Sequence, residues 1–165
     1  MPSITGEIVI ARPPEVVFDV VADERNEPRY NRRMVAAELL TPGPVGAGTR
    51  SRALIRSGRS RVEVEVELTR YERARVLGSR SRSSLRLGRL WPMFDTEGTM
   101  TFAPVPGGTC MRWSWRVRPR GPLRLFPRFV ARTGARQEQR IWHALKELLE
   151  RGDTAVAPGG GPPAG

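Results

Sequence analysis

One segment of this chain, residues 122–151, is long and periodic enough for a substantial α-helix, and it dictates what the remainder must supply. Phe126, Val130, Thr133, Gln137, Ile141, Ala144 and Leu148 recur there at three- and four-residue spacing. With Leu145 alongside, they form one apolar stripe about two residues wide. Arg132, Arg136, Arg140, Lys146 and Glu150 occupy the other face. Most helical stability comes from packing such a stripe on a partner surface. Everything upstream reads mainly as strands, so the expectation is one long helix laid across a sheet.

Taken in order, the chain first alternates Ile4, Gly6, Ile8 and Ile10 against Thr5, Glu7 and Val9, the pattern of a half-buried strand. Arg12-Pro13-Pro14 ends it, and proline suits the first turn of a helix. Val16, Val17, Phe18, Val20 and Val21 then predict a short buried helix ending near Ala22-Asp23, in which burial overrides the β-branching of valine. A second short helix or turn follows over 26–33, with Tyr30 as its apolar contact. Strands are predicted over 35–40, 49–56, 61–70, 76–87, 94–102 and 109–118. The clearest alternates Val62, Val64, Val66 and Leu68 with Glu63, Glu65 and Glu67, and the last alternates Met111, Trp113, Trp115 and Val117 with arginines and Ser114. Short turns between consecutive strands favour an antiparallel meander covered on its apolar face by the helix. Residues 152–165, rich in Pro and Gly, read as a disordered tail.

At 39% hydrophobic and 27% charged residues, the chain is globular in composition. It has no run of 18 apolar residues, and its start lacks the basic and apolar regions of an export signal, so a cytoplasmic location is expected. The lone cysteine, Cys110, excludes an internal disulfide framework and fits a reducing compartment. A net charge of +11 raises nucleic acid or an anionic membrane as a partner. The arginines are spread through the chain rather than massed in a tail or on one helix face, which argues against nucleic acid.

Five stretches carry a family resemblance: ITGEIVIARPPEVVFDVVAD from Ile4, ADERNEPRYNRR from Ala22, GPVGAGTR from Gly43, GGTCMRW from Gly107 and WHALKELLE from Trp142. In this order and spacing, residues 3–150 resemble the SRPBCC superfamily. Its helix-grip fold is shared by START-like lipid carriers, the birch-pollen allergen class and the polyketide cyclase/dehydrase group. Tyr30 stands where many relatives have tryptophan. The resemblance implies an α+β fold in the order β-α-α-β6-α. A curved seven-stranded antiparallel sheet would grip the C-terminal helix around a cavity for an apolar ligand, within one domain over residues 1–151.

Parity supplies the candidate pocket. Val66, Leu85, Met100, Phe102, Trp113 and Trp115 share the inward face of the strands, opposite Phe129, Val130, Gln137 and Ile141 on the helix. Ser81, Ser83 and Gln137 are candidate polar anchors, because an unpaired buried polar group costs roughly 1 to 3 kcal/mol. Trp91 and Phe126 lie where the resemblance places the cavity mouth, and either gate it or pack on each other. A ligand burying about 300 Å² of apolar surface would gain about 7 kcal/mol before the costs of association, which points to micromolar affinity.

Groups for catalysis are scarce. His143 lies off the helical stripe and reads as solvated, Cys110 as a surface or edge thiol, and Asp95 and Glu97 as outward-facing. No metal cluster, Cys-His pair or Gly-rich phosphate loop is present, so no metal or cofactor and no catalytic residue is assigned. The outward parity also gathers Arg50, Arg52, Arg56, Arg80, Arg82 and Arg86 around Glu63, Glu65 and Glu67. Arginine in excess there leaves an anionic membrane surface open as a partner. The leading expectation is binding or carriage of a small hydrophobic molecule such as a lipid, polyketide or aromatic compound. A polyketide cyclase/dehydrase-like enzyme and a basic-surface interaction module are the alternatives.

Overall fold

The computed structural model describes residues 2–84 and 94–152. Its strands are β1 (Ser3–Ile10), β2 (Met34–Leu39), β3 (Arg50–Ser57), β4 (Ser60–Glu72), β5 (Val76–Ser84), β6 (Phe94–Val105) and β7 (Gly108–Pro119). Two helices, α1 (Pro14–Ala22) and α2 (Pro127–Glu150), and two 3₁₀ turns, Glu24–Arg29 and Gly121–Leu125, complete it. All strand pairs are antiparallel in one seven-stranded sheet ordered β1-β7-β6-β5-β4-β3-β2. The excursion through α1 and the first 3₁₀ turn therefore carries the chain from one edge of the sheet to the other. The meander then returns strand by strand until β7 pairs with β1. Register shifts between Met34 and Ala36 and between Leu68 and Arg70 bend β2 and β4, adding curvature where the sheet turns toward α2.

Helix α1 forms from β-branched residues because its packing compensates their poor propensity: Val17, Phe18, Val20, Val21 and Ala22 are all buried. Phe18 meets the edges of Phe102 and Tyr71 at 5.1 Å between ring centroids. The 3₁₀ turn that follows is nucleated by Asp23, whose carboxylate accepts from the Arg25 backbone N–H at 3.1 Å and from its guanidinium at 2.6 and 2.9 Å. Glu24 and Glu27 lie within this turn, and Tyr30 follows it, buried against Trp142.

Helix α2 lies along β1 and β7, as the amphipathic pattern requires, but rotated from the expected stripe. Its buried residues are Val130, Ile141, Trp142, Leu145 and Leu149, so the inward line runs about one residue, or about 100° of helix, past the one read from spacing. Thr133 and Phe126 are exposed, while Glu138 and Trp142 turn inward. The helix comes close to β1 at Gly134, where a Cβ would meet the tip of the Ile4 side chain. Glycine there lets the helix settle directly over β1.

On the outward face the expected charge ladder forms: each glutamate of β4 is paired, while Arg56 and Arg82 make no ion pair among the described residues. Arg50 pairs with Glu65, Arg52 with Glu38 and Glu63 at 3.0 Å each, and Arg80 with Glu67 at 2.8 Å. Arg86 lies outside the described residues. Cys110, expected as a surface or edge thiol, is buried on β7, which is flanked by β1 and β6, with Val9 and Ala103 directly across from it.

Candidate functional site

Between the inner face of the sheet and the inward side of α2 lies a cavity in two parts, which meet at Ile4, Thr96 and Glu138. The outer chamber, about 390 Å³, is walled mainly by apolar side chains: Ile55, Val62 and Val64 from β3 and β4, Phe94 and Val117 from β6 and β7, Phe129 and Val130 from α2. Its polar members are Arg33, Ser57, Ser83, Thr96, Thr133, Gln137 and Glu138, and Arg33 donates to the Gln137 side-chain carbonyl. The inner chamber, about 170 Å³, combines Val66, Leu68, Leu77, Met100 and Ile141 with Ser79, Ser81 and Tyr30. Three carboxyls, Glu24, Glu27 and Glu138, complete its wall.

Glu138 sits on the inward line of α2, and its Oε2 accepts the indole N–H of Trp115 at 3.1 Å and of Trp142 at 2.9 Å. Both donors go to the same oxygen, which leaves Oε1 without a protein donor. Burial pushes this carboxyl up to about 7, with the charge of Glu27 adding to the effect and the two indoles pulling partly back. Burial also raises Glu24 well above the ordinary range, reinforced by Glu27, and Glu24 and Glu27 are placed to share a proton. Glu27 is raised less, because the Asn31 amide donates to it at 2.7 Å. The Tyr30 phenol is pushed far up by burial and then by the charges of Glu27, Glu24 and Glu138, so it stays protonated.

The residues expected from sequence separate accordingly. Val66, Ser81, Met100, Trp115 and Ile141 line the inner chamber, and Ser83, Phe129, Val130 and Gln137 the outer one. Ser81 bonds Thr96, and Ser83 donates to the Phe94 carbonyl at 2.7 Å, so both hydroxyls are partnered within the sheet. Phe102 and Trp113 line neither chamber: Phe102 packs on Phe18, and Trp113 stacks against Trp142 at 5.9 Å. Phe126 is 60% exposed at the start of α2, away from both chambers. Leu85 and Trp91 lie outside the described residues. Glu24, Glu27, Glu138 and Trp142 were missed. The available signal was a second stripe of equal periodicity, Val130, Gly134, Glu138, Ile141, Trp142, Leu145 and Leu149, into which the glutamate falls.

Among the described residues no group of three or more His, Cys, Asp or Glu is arranged to hold a metal ion, and no helix is long and apolar enough to cross a membrane. His143 is exposed and bonds the Gln139 carbonyl of its own helix at 2.9 Å.

The architecture recurs widely among solved structures. TTHA0849 from Thermus thermophilus superposes with a TM-score of 0.68 at 23% identity, covering 92% of this chain and 99% of that one. A conserved protein from Geobacillus kaustophilus gives 0.76 at 11% identity over 92% and 96%. Ara h 8.0201 gives 0.67 at 16% identity over 90% and 97%. The sequence matches no curated protein. Its residues 1–150 match the family model described as polyketide cyclase / dehydrase and lipid transport. With the seven-stranded sheet wrapped on a C-terminal helix, that match places the chain in this family of the SRPBCC superfamily, with the helix-grip fold.

Proposed function

We propose that the protein binds or carries a small hydrophobic molecule in the cavity between the sheet and α2. The observation that carries this reading is the outer chamber: about 390 Å³ of space between the sheet and α2, walled mainly by aliphatic and aromatic side chains. Proteins do not leave such apolar volume unfilled without cost, and pockets of this size and lining suit small ligands. Phe129, 66% exposed yet lining the chamber, stands between it and solvent. The test is native mass spectrometry of the freshly purified protein with solvent extraction, followed by displacement of a fluorescent apolar probe. Probe uptake that is lost on Val130→Trp, which fills the chamber, supports the reading. Uptake unchanged by that substitution removes it.

Turnover of a polyketide-like substrate is the second reading, favoured by Glu138, a carboxyl held near neutrality and able to give or take a proton at physiological pH. A reaction whose rate follows a group titrating near 7, and which Glu138→Gln abolishes, would support it.

A further inference from the structure

The inner chamber has a feature that an apolar ligand alone does not use. Glu24, Glu27 and Glu138 converge on it from the 3₁₀ turn and from α2, and no ion pair among the described residues reaches any of the three. Tyr30, only 5% exposed, lines the same chamber. Buried phenols and carboxylates ordinarily have partners, and buried charges are ordinarily paired. Here both indole donors go to one carboxylate oxygen of Glu138, and the other oxygen and the Tyr30 hydroxyl stand beside a space of about 170 Å³.

We infer that the inner chamber is a recognition site for a protonated nitrogen, so that the ligand is an amphiphilic amine with its apolar body in the outer chamber and its ammonium group against Glu138. The inference rests on the cavity reading above and narrows its ligand class. Glu138 lines both chambers, so a molecule filling the outer one brings its polar end to this carboxylate. Oε2 is held by Trp115 and Trp142, which fixes the carboxylate and presents Oε1 to the ligand. An ammonium donates three hydrogen bonds: Oε1, the Tyr30 oxygen and the Glu24–Glu27 pair supply acceptors. The protein's net charge of +11 repels an approaching cation, so selectivity resides in the chamber rather than in long-range steering.

The groups that set the pH response are Glu24 and Glu27 from the 3₁₀ turn, Tyr30 after it and Glu138 from α2. Asp23 acts on Glu24, and Arg29 acts on Tyr30 from the outside. The strands contribute Ser79, Ser81, Thr96 and Trp115, which carry no charge. Bound ammonium competes with the proton on Glu138, so affinity should fall about tenfold per pH unit below about 7.

The test is calorimetric titration of the whole protein with n-octylamine, n-octanol and n-octanoic acid, at about pH 8 and about pH 5.5, where the amine stays protonated throughout. The expected result is that octylamine binds at least about tenfold tighter than octanol at the higher pH and loses that advantage at the lower one. Glu138→Gln, whose amide oxygen still accepts from both indoles, should abolish the preference for amine over alcohol, with a thermal melt at about pH 8 that is no lower than the wild type's. Tyr30→Phe should reduce the preference severalfold. Equal affinity for amine and alcohol, or tightest binding of octanoic acid, overturns the inference and leaves the cavity reading standing. If none of the three binds, the cavity reading fails and the inference with it.

Discussion

Glutamate occurs on both sides of this sheet, and the two populations behave in opposite ways. Outside, Glu63, Glu65 and Glu67 alternate along β4 between arginines of β3 and β5, and each has a guanidinium within reach. Glu67 is accordingly held below the ordinary carboxyl range, first by its hydrogen bond with Arg80 and then by that charge. Inside, Glu24, Glu27 and Glu138 have indoles, an amide and one another for company, and all three are raised. Folding therefore favours the ionised form of Glu67 on the outer face and the protonated forms of Glu24, Glu27 and Glu138 in the chamber. The difference lies in surroundings, since the residue is the same: water and arginine on one side, apolar walls and like charge on the other.

The harshest way to break this contrast is Trp142→Ala. It removes a buried indole that donates to Glu138 and stacks on Trp113 and Tyr30. Large-to-small changes of this kind cost about 3 to 5 kcal/mol, measurable by urea denaturation. With one donor lost, the Glu138 titration should move further up.

Glu138→Gln sharpens the contrast instead. The folded-state value of about 7 lies above the ordinary 4.5, so the stability linked to this group is fully present below about 4.5 and is lost as pH rises through about 7. The whole effect is roughly 3 kcal/mol, from about 1.4 kcal/mol per pKa unit. The wild-type protein should lose that stability between these pH values, and the Gln variant should not, ending as the more stable of the two above neutrality. Parallel stability curves for the two proteins would sink the assignment of a raised carboxyl.

Gly98→Ala tests how firmly the chamber wall is held. A Cβ at Gly98 would lie 2.7 Å from the Trp115 ring and closer still to the Ser114 carbonyl oxygen, which is backbone and cannot swing away. The expected cost is about 1 to 3 kcal/mol, with a shifted Trp115 emission spectrum as the sign that Glu138 has lost a donor.

The smallest effect belongs to Glu67→Gln. Its partner is exposed on the sheet face, so the unfolding midpoint near neutral pH should be unchanged within error. Its contribution has the opposite pH sign: present above the unfolded carboxyl value and lost as pH falls through the lowered folded one. A pH response resembling that of Glu138 would erase the distinction between the two faces.

Much of the fold was legible in residue order. The alternation of Val62 to Leu68 and of Met111 to Val117 marked β4 and β7, and Pro13-Pro14 marked the start of α1. The cross-strand match of Glu63, Glu65 and Glu67 with arginines was also visible, because antiparallel neighbours joined by short turns leave little freedom of register. The candidate site was legible in its apolar lining and in Ser81, Ser83 and Gln137, but not in its carboxyls. Val66, Met100, Phe129, Val130 and Ile141 announced themselves by parity or helical spacing, whereas Glu138 read as one more polar residue of a charged helix. Two stripes on α2 were nearly equal in periodicity, and spacing alone favoured the one through Gln137.

By itself the sequence determined the elements, their order and the meander with its covering helix, because periodicity and turn chemistry are local properties of the chain. Tertiary structure alone decided which line of α2 faces inward, since Val130, Ile141, Trp142, Leu145 and Leu149 are buried only where they meet the sheet and α1 region they pack on. It likewise decided that Glu138 meets Trp115, 23 residues away in sequence, and the still more distant Glu27. A carboxyl near neutrality arises from desolvation and from charges brought together by packing, and neither is written in the residue or its neighbours.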